Sequence, residues 1–238
     1  MDEVRRDRLW RLVADRAETR IPGAGWVQVV CGVAREETGA DGAAVSLRTP
    51  EGQQELIAAT GGWATVLEEL QYTVGEGPAV EAYSGRGPVL VNDVTVDEQR
   101  WPGFAEGASG HRLGAAFSFP LQVGAIRLGT FSAYRRSPGP LSEDGLSSAL
   151  ILADIVTTAL LTDNLTPVDA QASWARGNLM GHYDDVNMAT GMIASRLGIS
   201  LDDALLRLRA HAFSHQTPIT EVAKAVVNRR LRFDASQE

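Results

Sequence analysis

The 238-residue sequence predicts an α+β protein, in which an antiparallel sheet flanked by helices is followed by an all-α bundle of three helices. Two observations predict the sheet: short apolar or alternating runs occur in pairs, and turn residues separate the members of each pair. The bundle is predicted because the end of the chain repeats its apolar positions at helical spacing instead. The length suits two modest domains joined by a helical linker.

The first part of the chain divides into a charged helix and a sheet-forming domain. Residues 1–22 are predicted to form an amphipathic helix with Leu9 and Val13 among its apolar positions. Residues 23–165 are predicted to form one domain. Its predicted elements are a helix at 26–37, strands at 42–49 and 55–60, a loop at 72–78, a short strand at 89–91, a hairpin at 115–122 and 126–133, and a helix at 142–163.

The helix at 142–163 is apolar almost all round. One face can pack on the sheet of its own domain, and we expect the other face to contact a second subunit. Its most apolar stretch, 149–161, contains Asp154 and is too short to cross a membrane. No segment with the pattern of a secretory signal opens the sequence. We therefore expect a cytoplasmic protein with no membrane partner.

Three short amphipathic helices are predicted in the last third of the chain. The first carries an apolar stripe that includes Val186 and Ile193, and it ends at Gly198, a residue that tolerates the left-handed conformation of a helix stop. Ser200 predicts the cap of the second helix, and Pro218 the start of the third. Because such short helices are not stable alone, we expect them to close on one another as a bundle.

Basic side chains are left outside these apolar stripes. From residue 170 to the end there are eight Lys and Arg and seven Asp and Glu, which gives a net charge of +1. The whole chain has a net charge of −8, so its first 169 residues have a net charge of −9. A local positive balance in an acidic protein favours a polyanionic partner. The residues left outside are Arg196, Arg207, Arg209, His211, His215, Lys224, Arg229, Arg230 and Arg232.

Residues 171–232 resemble the ANTAR domain of bacterial antitermination regulators. The resemblance rests on the run at 187–193, the Asp203-Ala204 pair and the Leu208-Arg209 pair. Many family members carry Lys where this chain has Thr190. The resemblance implies binding of paired RNA stem-loops in nascent transcripts, which prevents formation of a terminator hairpin. For contacts with RNA phosphates and loop bases we select Arg196, Arg207, Arg209, His211, Lys224, Arg229 and Arg230.

Residues 23–165 resemble a GAF domain in the order of their elements and in the Gly-Glu-Gly-Pro run at 75–78, Asn92-Asp93 after a short strand, and Gly129 in the second hairpin. The resemblance implies a small-molecule pocket over one face of the sheet, although aromatic residues are also typical of a core. The sequence does not identify the ligand. Candidate pocket residues are Trp63, Tyr72, Trp101, Phe104, His111, Phe117 and Phe119.

The linker between the two domains is predicted at 166–182, as a coiled-coil helix continuous with the first helix of the bundle. We expect this helix to form the seam of a homodimer that places two bundles side by side. We hypothesise that a GAF ligand or partner shifts the seam, which requires the ligand to bind one arrangement more tightly than the other. The seam positions are Ala172, Ala175, Leu179, His182 and Val186.

No catalytic or metal site is predicted, so we expect a protein that is not an enzyme. His211 and His215 are spaced for zinc, but no HExxH glutamate accompanies them and no third ligand is evident. The single cysteine, Cys31, excludes a disulfide framework and a CxxC site, and it is predicted to be a core residue. No cofactor is evident, and the expected partners are RNA stem-loops, a second copy of the chain and an unknown small molecule.

Two functions of other classes fit the same residues. The bundle could bind duplex DNA as a helix-turn-helix variant, in which case duplex DNA and hairpin RNA would bind equally well. Alternatively, the chain could be a signalling adaptor whose basic end docks on an acidic protein. A weak dependence of affinity on salt would then replace the steep dependence that several phosphate contacts produce.

Overall fold

The structure is a computed structural model that describes residues 2–19, 25–49, 52–85, 87–163 and 181–234. Within these ranges an N-terminal α/β unit is followed by three helices. The elements are α1 Asp2–Thr19, α2 Trp26–Thr38, β1 Gly42–Arg48, β2 Gln54–Ala59, α3 Gly62–Val74, α4 Pro78–Ser84, β3 Val89–Val91, α5 Pro102–Gly110, β4 Ala115–Val123, β5 Ile126–Arg135, α6 Glu143–Asp163, α7 Asp184–Leu197, α8 Leu201–Ser214 and α9 Ile219–Val227.

The five strands form one sheet in the order β2-β1-β5-β4-β3, and every neighbouring pair is antiparallel. Both predicted hairpins are present, β1 with β2 and β4 with β5. Gly129 of β5 lies opposite Leu47 of β1. A Cβ atom at Gly129 would lie 2.0 Å from the carbonyl oxygen of Ser46, so these two strands can approach so closely only because residue 129 is glycine.

Each face of the sheet packs against its own set of helices. One face is covered by α2 and α6, and its core includes Val45, Phe131 and Leu152. The other face is covered by α3 and α4, and its core includes Ala44, Leu67 and the buried Tyr134. Because strand side chains alternate between faces, Ser46 and Arg48 follow Ala44 onto the α3 side.

Helix α1 lies outside the first of these layers, on α2 and α6. Its buried residues are the predicted Leu9 and Val13. Ion pairs hold its polar positions in place, including Arg6 with Asp154 of α6 at 2.6 Å. Part of the second apolar face of α6, for which we expected a second subunit, is therefore covered by α1 of the same chain. By length and composition α6 could cross a membrane, yet half of that stretch is buried inside the protein.

The segment at 72–78 differs from the predicted loop. Helix α3 continues to Val74, and α4 begins at Pro78. The Glu76 carboxylate between them accepts hydrogen bonds from the amides of Gly103 (2.6 Å) and Phe104 (3.1 Å), so it caps the start of α5. This capping function depends on residues 27 positions apart, which explains why local sequence patterns did not indicate α5.

The three-helix bundle forms as predicted. Gly198 ends α7 with a φ of +66°, and the Ser200 hydroxyl accepts a hydrogen bond from the Asp203 amide at 3.0 Å to cap α8. Thr190, where many ANTAR domains carry Lys, is 2% exposed and donates to the Val186 carbonyl at 2.7 Å. Position 190 therefore lies inside this bundle and has no exposed group to offer a phosphate.

Candidate nucleic-acid interface

A groove with three arginines runs between the C-terminal ends of α7 and α9, and we call it the basic groove. Its volume is about 290 Å³, and Arg196, Arg229 and Arg232 line it together with Met192 and Phe233. The chain reverses after α9, where Arg229 has a φ of +59°, and this turn brings residues 231–233 back across α7. Cationic and aromatic groups are thus placed in one concave surface.

The aromatic side of the basic groove continues onto α8. The ring centroid of Phe233 lies 5.4 Å from that of His211, which stacks on His215 with centroids 4.0 Å apart. Burial lowers the pKa of His211, and the neighbouring His215 lowers it further. His211 is therefore mainly neutral at pH 7, and it suits stacking with an unpaired base better than a contact with a phosphate.

Arg196 already has an anionic partner in the basic groove. Its Nη2 atom lies 2.7 Å from the Oδ1 atom of Asp234. Both side chains are about half exposed, and exposed pairs of this kind contribute at most about 1 kcal/mol because water screens them. A polyanion can therefore displace Asp234 at little cost.

The other residues selected for RNA contacts lie outside the basic groove. Lys224 is exposed on α9, Arg230 is exposed in the turn that follows, and Arg207 is half-buried on α8. Arg209 points toward the N-terminal domain: its Nη2 donates to the Gly52 carbonyl at 3.3 Å. The structure thus brings together only part of the predicted set, and it adds Arg232, Met192 and Phe233.

Arg209 belongs to a contact between the bundle and the N-terminal domain. Its Cζ atom lies 5.0 Å from the ring centroid of Tyr72 on α3. Burial lowers the pKa of the Arg209 guanidinium, Tyr72 opposes this shift, and Arg48 adds to it. In this arrangement Arg209 is held by the N-terminal domain and is withheld from a polyanion at the bundle surface.

Three further contacts fix the bundle on that domain. Tyr183, just before α7, packs edge-on against Tyr72 with centroids 4.6 Å apart. The Gly181 amide donates to Glu55 at 2.6 Å, and burial raises the pKa of this carboxyl group. Glu69 of α3 accepts hydrogen bonds from the hydroxyl and the amide of Thr220 (2.5 and 3.3 Å), so a side chain of one domain caps a helix of the other. Sequence patterns did not indicate these contacts, since each joins residues more than 100 positions apart.

The aromatic residues predicted for a ligand pocket are divided between the two faces of the sheet. Trp63, Tyr72, Trp101 and Phe104 lie on the α3 side, and the indole of Trp63 donates to the backbone carbonyl of His111 at 2.9 Å. The side chain of His111 is on the exposed surface. The structure does not place Phe117 and Phe119 with the other predicted pocket residues. They lie on the opposite face of the sheet, in the core formed with α2 and α6.

Several buried polar residues lie over the α3 face of the sheet. None of them was predicted from the sequence as a site residue. Glu68 of α3 is fully buried and accepts hydrogen bonds from the hydroxyls of Ser46 (2.6 Å) and Tyr134 (2.5 Å). Gln71 donates to the Tyr134 hydroxyl at 2.8 Å. Arg48 is only 7% exposed, and burial lowers the pKa of its guanidinium. This face of the sheet therefore carries the polar groups that a small-molecule site needs.

Most of the predicted dimer seam lies outside the described residues, so the seam stays a prediction. Ala172, Ala175 and Leu179 lie outside the described residues. Val186 is fully buried in the bundle of its own chain, and His182 is half-buried, with its pKa lowered mainly by burial. The first bundle helix begins at Asp184, after a turn in which Gly181 has a φ of +84°. The predicted linker helix at 166–182 lies almost entirely outside the described residues and stays a prediction.

The part of the chain that the structure describes contains no arrangement of residues suited to metal binding or to thiol chemistry. No group of three or more His, Cys, Asp or Glu residues is arranged there to hold a metal ion. Cys31 is fully buried on α2, and burial raises the pKa of its thiol. A buried neutral thiol is a core residue rather than a nucleophile.

Comparison with known proteins agrees with this division of the chain. Residues 26–161 match the GAF domain family, and residues 179–227 match the ANTAR domain family. The structure resembles the GAF domain of an Acinetobacter phosphoenolpyruvate-protein phosphotransferase, with 12% identity, a TM-score of 0.50 and coverage of 67% of this chain and 94% of that chain. It also resembles the GAF domain of the Coxiella burnetii phosphoenolpyruvate-protein phosphotransferase, with 12% identity, a TM-score of 0.50 and coverage of 68% and 96%.

At such identities the two solved structures show the fold alone. No curated protein matches the sequence. The GAF match spans more than half of the chain, and the ANTAR match coincides with α7–α9. GAF domains are sensors of small molecules, and ANTAR domains are RNA-binding antitermination modules. The chain therefore belongs to the GAF domain family and joins its GAF domain to a C-terminal ANTAR domain.

Proposed function

We propose that this protein is a transcription antitermination regulator that binds paired stem-loops in nascent mRNA through its ANTAR bundle. The observation that carries the proposal is the basic groove, which Arg196, Arg229 and Arg232 line together with Phe233. Cations meet phosphates, and aromatic rings stack on the unpaired bases of a loop, whereas a rigid duplex exposes no such base face. A protein bound to both stem-loops keeps them folded, so the same RNA cannot form the alternative terminator hairpin.

The GAF domain is proposed to control this binding in response to a small molecule or a partner. The contact that supports the proposal is the one made by Arg209, since a residue selected for RNA is held against Gly52 and Tyr72. A signal that releases the bundle makes this cation accessible. We further propose that the protein acts in the cytoplasm as a homodimer and without catalytic activity, so that two bundles engage two stem-loops.

The function is tested by titrating the full chain with fluorescent tandem stem-loop RNA, a scrambled RNA of equal length and duplex DNA of the same sequence, at two salt concentrations. We expect the tandem stem-loops to bind at least about 10-fold more tightly than either control, and their affinity to fall steeply with salt because phosphate contacts release counterions. Equal affinity for duplex DNA would favour a DNA-binding regulator. A shallow salt dependence would favour an adaptor that docks on an acidic protein.

A further inference from the structure

Buried polar atoms without hydrogen-bond partners are concentrated where the ANTAR bundle meets the GAF domain. They include atoms of Arg48 at the end of β1, Tyr72 on α3, Tyr183 before α7 and Arg209 on α8. Both tyrosines are fully buried, and Arg48 is more than nine-tenths buried. Buried polar groups are nearly always paired in folded proteins, so a cluster of unpaired ones at a domain contact indicates a site that a further group completes.

The unpaired atoms of Arg48 are Nε and Nη2, which form one edge of the guanidinium group. The same edge of Arg100 is occupied in this protein: it holds both carboxylate oxygens of Glu81, with Nε 2.9 Å from Oε2 and Nη2 bonded to Oε1. Arg48 forms no such ion pair within the described ranges, and the buried Glu68 is engaged by Ser46 and Tyr134. An unoccupied guanidinium edge has the geometry for two oxygens of one oxyanion.

Further unpaired atoms interact electrostatically with Arg48, namely the guanidinium group of Arg209, with its unpaired Nε, and the hydroxyls of Tyr72 and Tyr183. An unpaired acceptor, Oε1 of Gln54, belongs to the residue that pairs with Arg48 across β1 and β2. Arg209 lies over the Tyr72 ring, which in turn packs on Tyr183. Burial lowers the pKa of both guanidinium groups. Glu68 opposes this shift at Arg48 and Tyr72 opposes it at Arg209, whereas the charge of Arg48 adds to the shift of Arg209. Arg48 is buried and Arg209 is partly buried, and their charges repel one another. A negative charge placed between them, next to the two tyrosine hydroxyls, stabilises both.

We propose that Arg48, Tyr72, Tyr183 and Arg209 form an interdomain anion site that binds a small oxyanion, with a carboxylate or phosphate group, across the contact between the GAF and ANTAR domains. Two oxygens of the ligand accept from Nε and Nη2 of Arg48, and Arg209 reaches the same anion from the bundle. The ligand is small because the tyrosines and Arg48 around it are buried. Entry requires the bundle to move away from β1, so binding of the anion and docking of the bundle are coupled.

This inference rests on the sensor function proposed above and adds the chemical class of the signal. A bound anion holds Arg209 at the GAF domain, so it stabilises the docked bundle and keeps this cation from RNA. A ligand shifts the equilibrium between the docked and the released bundle only by the difference between its binding free energies for the two states. Because the anion contacts both domains at once, it prefers the docked form.

The test uses the full chain without RNA, so its outcome is independent of the stem-loop experiment. Thermal unfolding and isothermal titration calorimetry are carried out with sodium phosphate, sodium acetate and sodium chloride at equal ionic strength. We expect phosphate or acetate to bind one per chain and to raise the Tm with concentration, as a ligand specific to the native state does. Equal effects of all three salts, or no calorimetric binding of phosphate and of acetate, would overturn the proposal whatever the RNA result.

Three variants locate the site. Arg48→Gln is expected to weaken anion binding roughly 10- to 100-fold, because charged hydrogen bonds to the ligand are lost. Since a buried substitution can prevent folding, Arg209→Gln and Tyr183→Phe are measured as well, each with an expected loss of about 3- to 10-fold. Arg127→Gln, at an exposed position of β5, is the charge-matched control and keeps the affinity of the original protein. Unchanged affinity in both Arg209→Gln and Tyr183→Phe would show that the anion does not bridge the domains.

Discussion

Reversing the charge of two residues in the basic groove, Arg196→Glu with Arg229→Glu, is expected to weaken binding of tandem stem-loop RNA by about 100-fold or more at low salt. Each arginine lost removes a phosphate contact, and each glutamate added repels the RNA backbone. The slope of log affinity against log salt concentration should become shallower by about two, one for each lost contact. Fluorescence anisotropy at several salt concentrations measures both quantities.

The matched control reverses two exposed arginines outside the bundle, Arg11→Glu with Arg127→Glu, which lie on α1 and β5. The net charge of the protein changes by the same amount, but the basic groove is intact. We expect a loss of a few-fold at most, which reflects only the long-range field of the protein. If the control pair loses as much affinity as the groove pair, the RNA responds to overall charge and the groove is not its binding site.

Replacement of Gly129 by alanine is expected to destabilise the GAF domain by about 4 kcal/mol or more, enough to abolish folding in a protein of ordinary stability. The new Cβ atom would lie 2.0 Å from the Ser46 oxygen and 2.7 Å from the Cα atom of Leu47. These are backbone atoms of β1, so relief of the overlap requires two paired strands to separate. Urea denaturation followed by circular dichroism measures the loss.

Gly191→Ala is the control for that substitution, because it adds the same methyl group where nothing lies within 4 Å. Gly191 is inside helix α7, where alanine is favoured over glycine by roughly 0.5–1 kcal/mol. The variant should therefore be as stable as the original protein or slightly more stable. If the Gly129→Ala and Gly191→Ala proteins unfold at the same urea concentration, β1 and β5 do not approach as closely as the structure indicates.

Local signals predicted the strands, the helices α1, α2 and α6 and the three-helix bundle, but not α3, α4 and α5. The caps at Gly198 and Ser200 depend on residues within a few positions of each other, and the structure confirms both. The two hairpins were also predicted, but the side of the sheet on which Phe117 and Phe119 lie was not. Strand β4 is buried on both faces, so its residues do not alternate between apolar and polar. The sequence therefore does not show which of its faces packs against α2 and α6.

The candidate sites were predicted less completely, because their geometry depends on tertiary contacts. Arg196 and Arg229 were selected because both lie outside the apolar stripes, and the turn after α9 places them in one groove. Their contact with RNA stays a prediction. The position of Arg209 depends on Gly52, which is 157 residues away. Arg48 was not selected, since a lone basic residue at the end of a strand usually lies in solvent.

Transcription in vitro measures whether RNA binding by this protein prevents termination. The template carries tandem stem-loops upstream of an intrinsic terminator, and the measured quantity is the fraction of transcripts that read through. We predict that the original protein raises this fraction several-fold, whereas the variant with Arg196→Glu and Arg229→Glu leaves it at the level without protein. Read-through that stays at the basal level, while the original protein is bound to the stem-loops, would show that this binding does not prevent termination.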